Sequence, residues 1–215
     1  MEMYEARKET CRVSGKKLCK ALEEKGYKAF FAENCAEVCE IVKKLIPADA
    51  SVGIPGSVTI REAGLCEMFA EQGNRIYTHW DSSLRPEERT QRLIDELTSD
   101  WFVMSTNAIT ENGVMVNMDG VGNRVGAMSW AAGKLLVVAG CNKIVPDLDA
   151  AIKRVRNTAA PANGVRLGIK APSEENGYQF DKKDIDSLCR ITTILERAPM
   201  GRDCYVIIAG EELGY

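Results

Sequence analysis

The chain of 215 residues has a single histidine, His79. A Ser–His–Asp hydrolase triad or a histidine-rich metal site needs imidazole as base or ligand, so one histidine argues against both. There is no C-x-x-C pair either, although there are eight cysteines: Cys11, Cys19, Cys35, Cys39, Cys66, Cys141, Cys189 and Cys204. The tightest spacing, Cys35 to Cys39, is one helical turn and supplies half a metal set without a second half. Zinc and iron–sulfur sites gather their ligands more closely, so no metal is expected and the thiols read as small buried apolar groups. A cationic excess is also lacking: the net charge is −3 and the pI near 5.4. That excludes a general binder of nucleic acid or of anionic membrane, and leaves room for a local basic pocket that takes an anionic metabolite. No apolar run approaches the ~20 residues that cross a bilayer. The first residues, MEMYEARKETCRVSGKK, are charged and amphipathic, unlike a signal peptide. Together these absences predict a cytoplasmic protein whose cysteines stay reduced.

A hydrophobic fraction of 45% and a charged fraction of 27% fit a globular chain, and the length suits one α/β domain over 1–215. Residues 2–26 read as an amphipathic helix stopped by Gly26, Lys28–Ala32 as a strand, and Asn34–Ile46 as a helix capped by Asn34. This N-terminal segment, to about residue 46, is expected to pack on the α/β core. Ala50–Ile54 follows as a strand, about Thr59–Gln72 as one helix, Arg75–Thr78 as a strand, and Pro86–Thr98 as a helix with proline at its start. Trp101–Met104, Val114–Asn117 and Lys134–Ala139 read as strands, and Arg124–Ala132 and Asp147–Thr158 as helices. Ala171–Asp184 reads as a polar loop or surface extension, and Cys189–Leu195 and Tyr205–Ala209 as closing strands. Strands alternating with helices predict an α/β fold: a mostly parallel sheet with helices on both faces.

Polar residues gather at the ends of these strands. Gly53-Ile54-Pro55-Gly56-Ser57-Val58-Thr59 joins a strand to a helix. There, glycines allow a close backbone approach, and free N–H groups with the Ser57 and Thr59 hydroxyls suit a phosphate or carboxylate. The same pattern also fits a plain capped turn. Glu62 either closes a capping box with Thr59 or faces the pocket. Between Thr106 and Gly113, the Asn112-Gly113 pair signals a hairpin, which leaves Thr106, Thr110 and Glu111 together unexplained. Glu111 is a candidate base, nucleophile or hydroxyl acceptor. Asn117-Met118-Asp119-Gly120 runs on to Gly122-Asn123-Arg124, where Asp119 can act as acid/base and Arg124 as an anion clamp, with an Asx turn capped by Asn123 as the alternative. The candidate catalytic residues are thus Glu111 and Asp119. The candidate binding residues are Gly53, Gly56, Ser57, Thr59, Thr106, Asn107, Thr110, Asn117, Gly120, Asn123 and Arg124. No cofactor follows from them. Arg190 and Glu196 read as a surface ion pair, and the Trp80–Arg85 segment is a candidate loop near the pocket that nothing in the sequence places further.

The segments GIPGSVTIREAGL, STNAITENGVMVNMDGVGNRVGAM, KLLVVAGCNKIVPDLDAAIKRVRNTAAPAN and CRITTILERAPM resemble the LUD domain, the lactate-utilization protein C/B family, from about residue 5 to the C-terminus. The resemblance implies a fold like the ribose-5-phosphate isomerase, glucosamine-phosphate deaminase and CoA-transferase group, with ligands at strand ends. It also implies a role in oxidation of L-lactate beside iron–sulfur and redox partner proteins. Many members carry a T-G-x-C-x-D-C-like segment; this chain has PSEENGYQFDKKDIDSLCR there and keeps only Cys189. Three functions compete. The first is binding of a small anionic metabolite in organic-acid utilization. The second is an isomerase, transferase or ligase acting on a sugar phosphate, CoA ester or folate through a carboxylate nucleophile such as Glu111. The third is a non-catalytic subunit docked on a redox complex. A homo-oligomer is open to each.

Overall fold

Lys134–Gly140 is apolar after its first residue, and in the computed structural model it lies at the middle of a six-stranded sheet. The structure describes residues 3–177 and 179–215. In chain order the elements are α1 (Met3–Glu24), β1 (Lys28–Ala32), α2 (Cys35–Leu45), β2 (Ser51–Gly53), α3 (Val58–Glu62), α4 (Leu65–Gln72), β3 (Arg75–Tyr77) and α5 (Pro86–Thr98). Next come β4 (Trp101–Met104), β5 (Ala108–Thr110), β6 (Met115–Asp119), α6 (Asn123–Ser129), β7 (Lys134–Gly140), β8 (Ile144–Val145) and α7 (Leu148–Arg154). The chain ends with α8 (Ala160–Arg166), α9 (Lys182–Leu188), β9 (Ile191–Leu195) and β10 (Cys204–Ala209).

The large sheet runs β1-β10-β7-β4-β2-β3, and every pairing in it is parallel. Its central strands are apolar on both faces because both faces are covered. Leu136, Val138, Tyr205, Ile207, Trp101 and Val103 point to one side, against α2, α3 and α4. Leu135, Val137, Val206, Ile208, Phe102 and Met104 point to the other, against α1, α6 and a second sheet. That second sheet, β8-β5-β6-β9, pairs β5 with β6 and β6 with β9 antiparallel. Its far face packs Ala108, Val116 and Met118 on Ala151 and Val155.

The strands expected at 28–32 and 101–104 and the helix at 86–98 occur with those bounds, and Asn34 caps α2 by accepting from the Glu37 N–H. The helix expected over 59–72 is two helices, because Gly64 adopts φ +71° between them. Residues 147–158 extend further than expected, through a π-helical turn at Val155–Ala159 into α8. Pro161 lacks the N–H that would continue a regular α-helical ladder there. Ala108–Thr110, read as part of a loop, is a strand, and the polar segment ending near Asp184 contains the start of α9. The expectation that all cysteines stay reduced also needs correction: Cys11 and Cys141 form a disulfide. The packing of α1 over the turn after β7 brings their Cα atoms to 5.9 Å, within bridging range.

Two successive connections place the site. From β2 the chain passes through α3 and α4, on one face, to β3; from β3 it returns through α5, on the other face, to β4. Loops that leave neighbouring strands toward opposite faces open a crevice at the strands' C-terminal ends.

Candidate active site

That crevice is a cleft walled by the loop after β2, the loop after β4, the turn after β7 and the π-helical turn. It is lined by Gly56, Ser57, Thr59, Ser105, Thr106, Asn107 and Lys143, with Arg124, Asn163, Trp80 and Tyr215 around them and Val155, Ala159 and Leu188 as apolar wall.

Ser57 is the N-cap of α3, and its hydroxyl accepts from the Ile60 N–H at 3.4 Å. The cap is therefore Ser57 rather than Thr59, and Glu62 closes no capping box with Thr59. Its carboxylate accepts from the Gly214 N–H instead. Gly56 has φ +61°, and a Cβ there would lie 2.2 Å from the Trp80 indole nitrogen, so only glycine admits the ring. Trp80 is in turn flanked by the guanidinium groups of Arg61 and Arg166, 4.8 and 4.3 Å from the ring centroid.

Lys143 dominates the electrostatics. It is 3% exposed, and its Nζ donates to Thr59 Oγ1 at 2.8 Å and to Ser105 Oγ at 3.0 Å. Burial is the main cause that lowers its pKa from 10.5 to about 7, and the nearby Arg154 charge adds to it. The Lys143 ammonium therefore loses its proton far more easily than that of an exposed lysine. Asn142 holds the turn in place: its amide donates to the Gly214 carbonyl and accepts from the Leu213 N–H, both at 3.2 Å. Arg154 donates to the Asn142 and Asn107 carbonyls and ties this turn to the loop after β4.

Asp119 sits behind the cleft wall and pairs with Arg124, which lines it. Arg124 Nη2 donates to Asp119 Oδ1 at 3.1 Å and to the Met118 carbonyl at 3.2 Å, and its backbone N–H donates to Asp119 Oδ2 at 3.0 Å. Burial pushes the Asp119 carboxyl upward, but the Arg124 charge and hydrogen bonds outweigh it and leave the pKa below the ordinary value. Asp119 is therefore ionised at neutral pH and orients Arg124.

Of the residues expected from sequence, the structure brings Gly56, Ser57, Thr59, Thr106, Asn107 and Arg124 to the cleft wall. Asn117 sits one layer behind: its Nδ2 donates to Thr106 Oγ1 and its Oδ1 accepts from the Asn107 N–H, both at 2.9 Å. Thr110 closes the β5–β6 turn, where its hydroxyl accepts from the Val114 N–H at 2.9 Å. Gly53 makes room for α5, since a Cβ would meet the Glu96 carbonyl at 2.4 Å. Gly120 packs against the end of α9, where a Cβ would stand 3.4 Å from the Ser187 carbonyl, and Asn123 opens α6. Glu111 lies away from the cleft, half-exposed, 3.2 Å from Lys17 on α1. Arg190 donates to the Ser187 carbonyl rather than pairing with Glu196. Sequence reasoning missed Lys143, Ser105, Asn163 and Tyr215, whereas Trp80 comes from the segment expected as a loop near the pocket. Lys143 had a signal: a charged residue between apolar runs, just past the end of the most apolar strand.

The LUD domain family model matches residues 15–209. The chain belongs to the LUD domain family. No curated protein matches it. Among solved structures, a DUF162 family protein from Deinococcus radiodurans, a crystal structure at 1.70 Å resolution, is similar with a TM-score of 0.50 at 15% identity. The alignment covers 93% of this chain and 98% of that one, and at this identity the likeness concerns the fold. The LUD domain is a lactate-utilization-associated domain, and here it is a mostly parallel α/β sheet without a helix long and apolar enough to cross a membrane among the described residues.

Proposed function

We propose that the cleft binds a small organic anion of the lactate–pyruvate class and that the chain serves organic-acid utilization through it. The observation that carries this reading is the cleft's chemistry. Its wall presents Lys143, Arg124 and the hydroxyls of Ser57, Thr59, Ser105 and Thr106, with no side-chain carboxylate among the described lining residues. A carboxylate entering the cleft meets the Arg124 guanidinium as a directional donor, with Lys143 and the hydroxyls as further donors. Arg124, held in orientation by Asp119, is the carboxylate clamp. Both sheets contribute to the wall, so the reading treats the chain as one domain.

A thermal-shift panel of L-lactate, pyruvate, sugar phosphates, CoA esters and nucleotides tests it. A ligand at ~100 times its Kd adds about 2.7 kcal/mol. Stabilisation by 2-hydroxy or 2-oxo acids, lost in Arg124→Ala, is expected. Stabilisation by sugar phosphates or CoA esters alone would overturn the reading.

A further inference from the structure

Other half-buried cations of this chain donate to carbonyl oxygens, Arg154 to Asn142 and Asn107 and Arg202 to Gly133 and Ala127, or pair with a carboxylate, as Arg124 does with Asp119. Lys143 differs. Its two hydrogen-bond partners are the hydroxyls of Thr59 and Ser105, and the Glu62 carboxylate acts on it only through its charge, without a hydrogen bond. A hydroxyl accepts from an ammonium and can equally donate to an amine lone pair, so the pair suits an amine that gains and loses its proton. Val155, Ala159 and Leu188 line the same cleft. A buried lysine amine whose burial eases loss of its proton, set in the wall of a cleft between two hydroxyls, is placed as a nucleophile for a carbonyl.

We propose that Lys143 is a Schiff-base nucleophile for a 2-oxo acid bound in this cleft. The inference rests on the anion-cleft reading above and names the substrate class. The Nζ lone pair forms a bond to the carbonyl carbon while the C=O π pair moves onto oxygen. That oxygen takes one proton from nitrogen by way of the Thr59 or Ser105 hydroxyl, giving a carbinolamine. A second proton transfer releases the oxygen as water and leaves the imine. One amine and one oxo acid thus yield one imine and one water, with no change of oxidation state. Once protonated, the imine withdraws electrons from the neighbouring carbon, as a ketone does only weakly. L-Lactate has no carbonyl at this carbon and forms no such bond.

The full-length protein is incubated with pyruvate and sodium cyanoborohydride near neutral pH, then measured by intact mass and peptide mapping. A single adduct is expected on Lys143, equal to pyruvate less water plus two hydrogens. It should be absent with L-lactate and in Lys143→Met. Thr59→Val, which keeps the amine and removes one proton relay, should slow trapping roughly 100-fold. Calorimetric titration of the same sample with pyruvate separates the two readings. Heat of binding without an adduct, or an adduct spread over surface lysines, overturns the Schiff base and leaves the anion cleft standing. Neither heat nor adduct overturns both. A Thr59→Val protein trapped at the wild-type rate overturns the relay through Thr59.

Discussion

Lys143 Nζ lies 2.8 Å from Thr59 Oγ1, across 84 residues of chain. The contact exists because β2 and β7 end on the same edge of the large sheet, separated only by β4. Thr59 extends the first of these strand ends and Lys143 the second. Their meeting turns two loops into one site.

Lys143 should make stability depend on pH in a defined window. Its folded pKa is lowered from 10.5 to about 7, so between those values the unfolded chain binds a proton that the native state has lost. Stability contributed by this residue therefore rises as pH rises from 7 toward 10.5, and its full cost is present below pH 7. Lys143→Met removes that cost, which is a few kcal/mol at most. Urea unfolding near pH 6.5 and near pH 9.5 should show the variant more stable than wild type at the lower pH and the difference shrinking at the higher. A pH-independent difference would contradict a buried amine.

Asp119 and Arg124 should behave as a structural pair that serves binding. Asp119→Ala strands a half-buried guanidinium and the Arg124 backbone N–H, and should cost roughly 2–3 kcal/mol. Asp119→Asn keeps an acceptor for one of these donors and should cost less. Chemical denaturation of both variants orders them, and equal losses would remove the charge from the account.

Glu111 should be expendable. It is 54% exposed and its partner Lys17 is 71% exposed, so the ion pair is screened by water. Glu111→Ala should change stability by less than about 0.5 kcal/mol and leave pyruvate binding as in wild type. A large loss of binding would instead support the carboxylate nucleophile that the sequence pattern admits.

The Cys11–Cys141 bond should stabilise the chain and steady the turn that carries Lys143. It closes a loop of 130 residues, for which chain entropy alone suggests about 4–5 kcal/mol, an upper figure. Cys11→Ser, compared with wild type in the presence and absence of reductant, should lower Tm to that of the reduced wild type. Identical Tm values in all four samples would show that the bond contributes nothing.

Local signals carried several elements. Pro86 at the start of α5, Asn34 as the cap of α2 and the positive-φ Gly113 in the β5–β6 turn act over a few residues, so they can be read without the rest of the chain. The strands of the second sheet could not be read this way. Ile109 pairs with Ile144, and Met115 with Leu195, across long stretches of chain, and strands this short gain their stability from those partners.

The same division holds at the site. The sequence by itself determined that the sheet is parallel and doubly covered, since its central strands are apolar throughout, and that polar residues cluster at strand ends. It also placed Ser57, Thr106 and Arg124 among the candidates. Only the tertiary structure decided which polar residues share a wall. Glu111 and Lys143 are both charged residues beside apolar strands, and nothing within a few residues of either tells them apart. The difference is burial: Glu111 caps a hairpin that faces water beside α1, whereas Lys143 is closed over by Thr59, Ser105 and the segment at Leu213–Gly214. Burial is a property of distant segments packing together, and it is the main cause that lowers the Lys143 pKa to about 7.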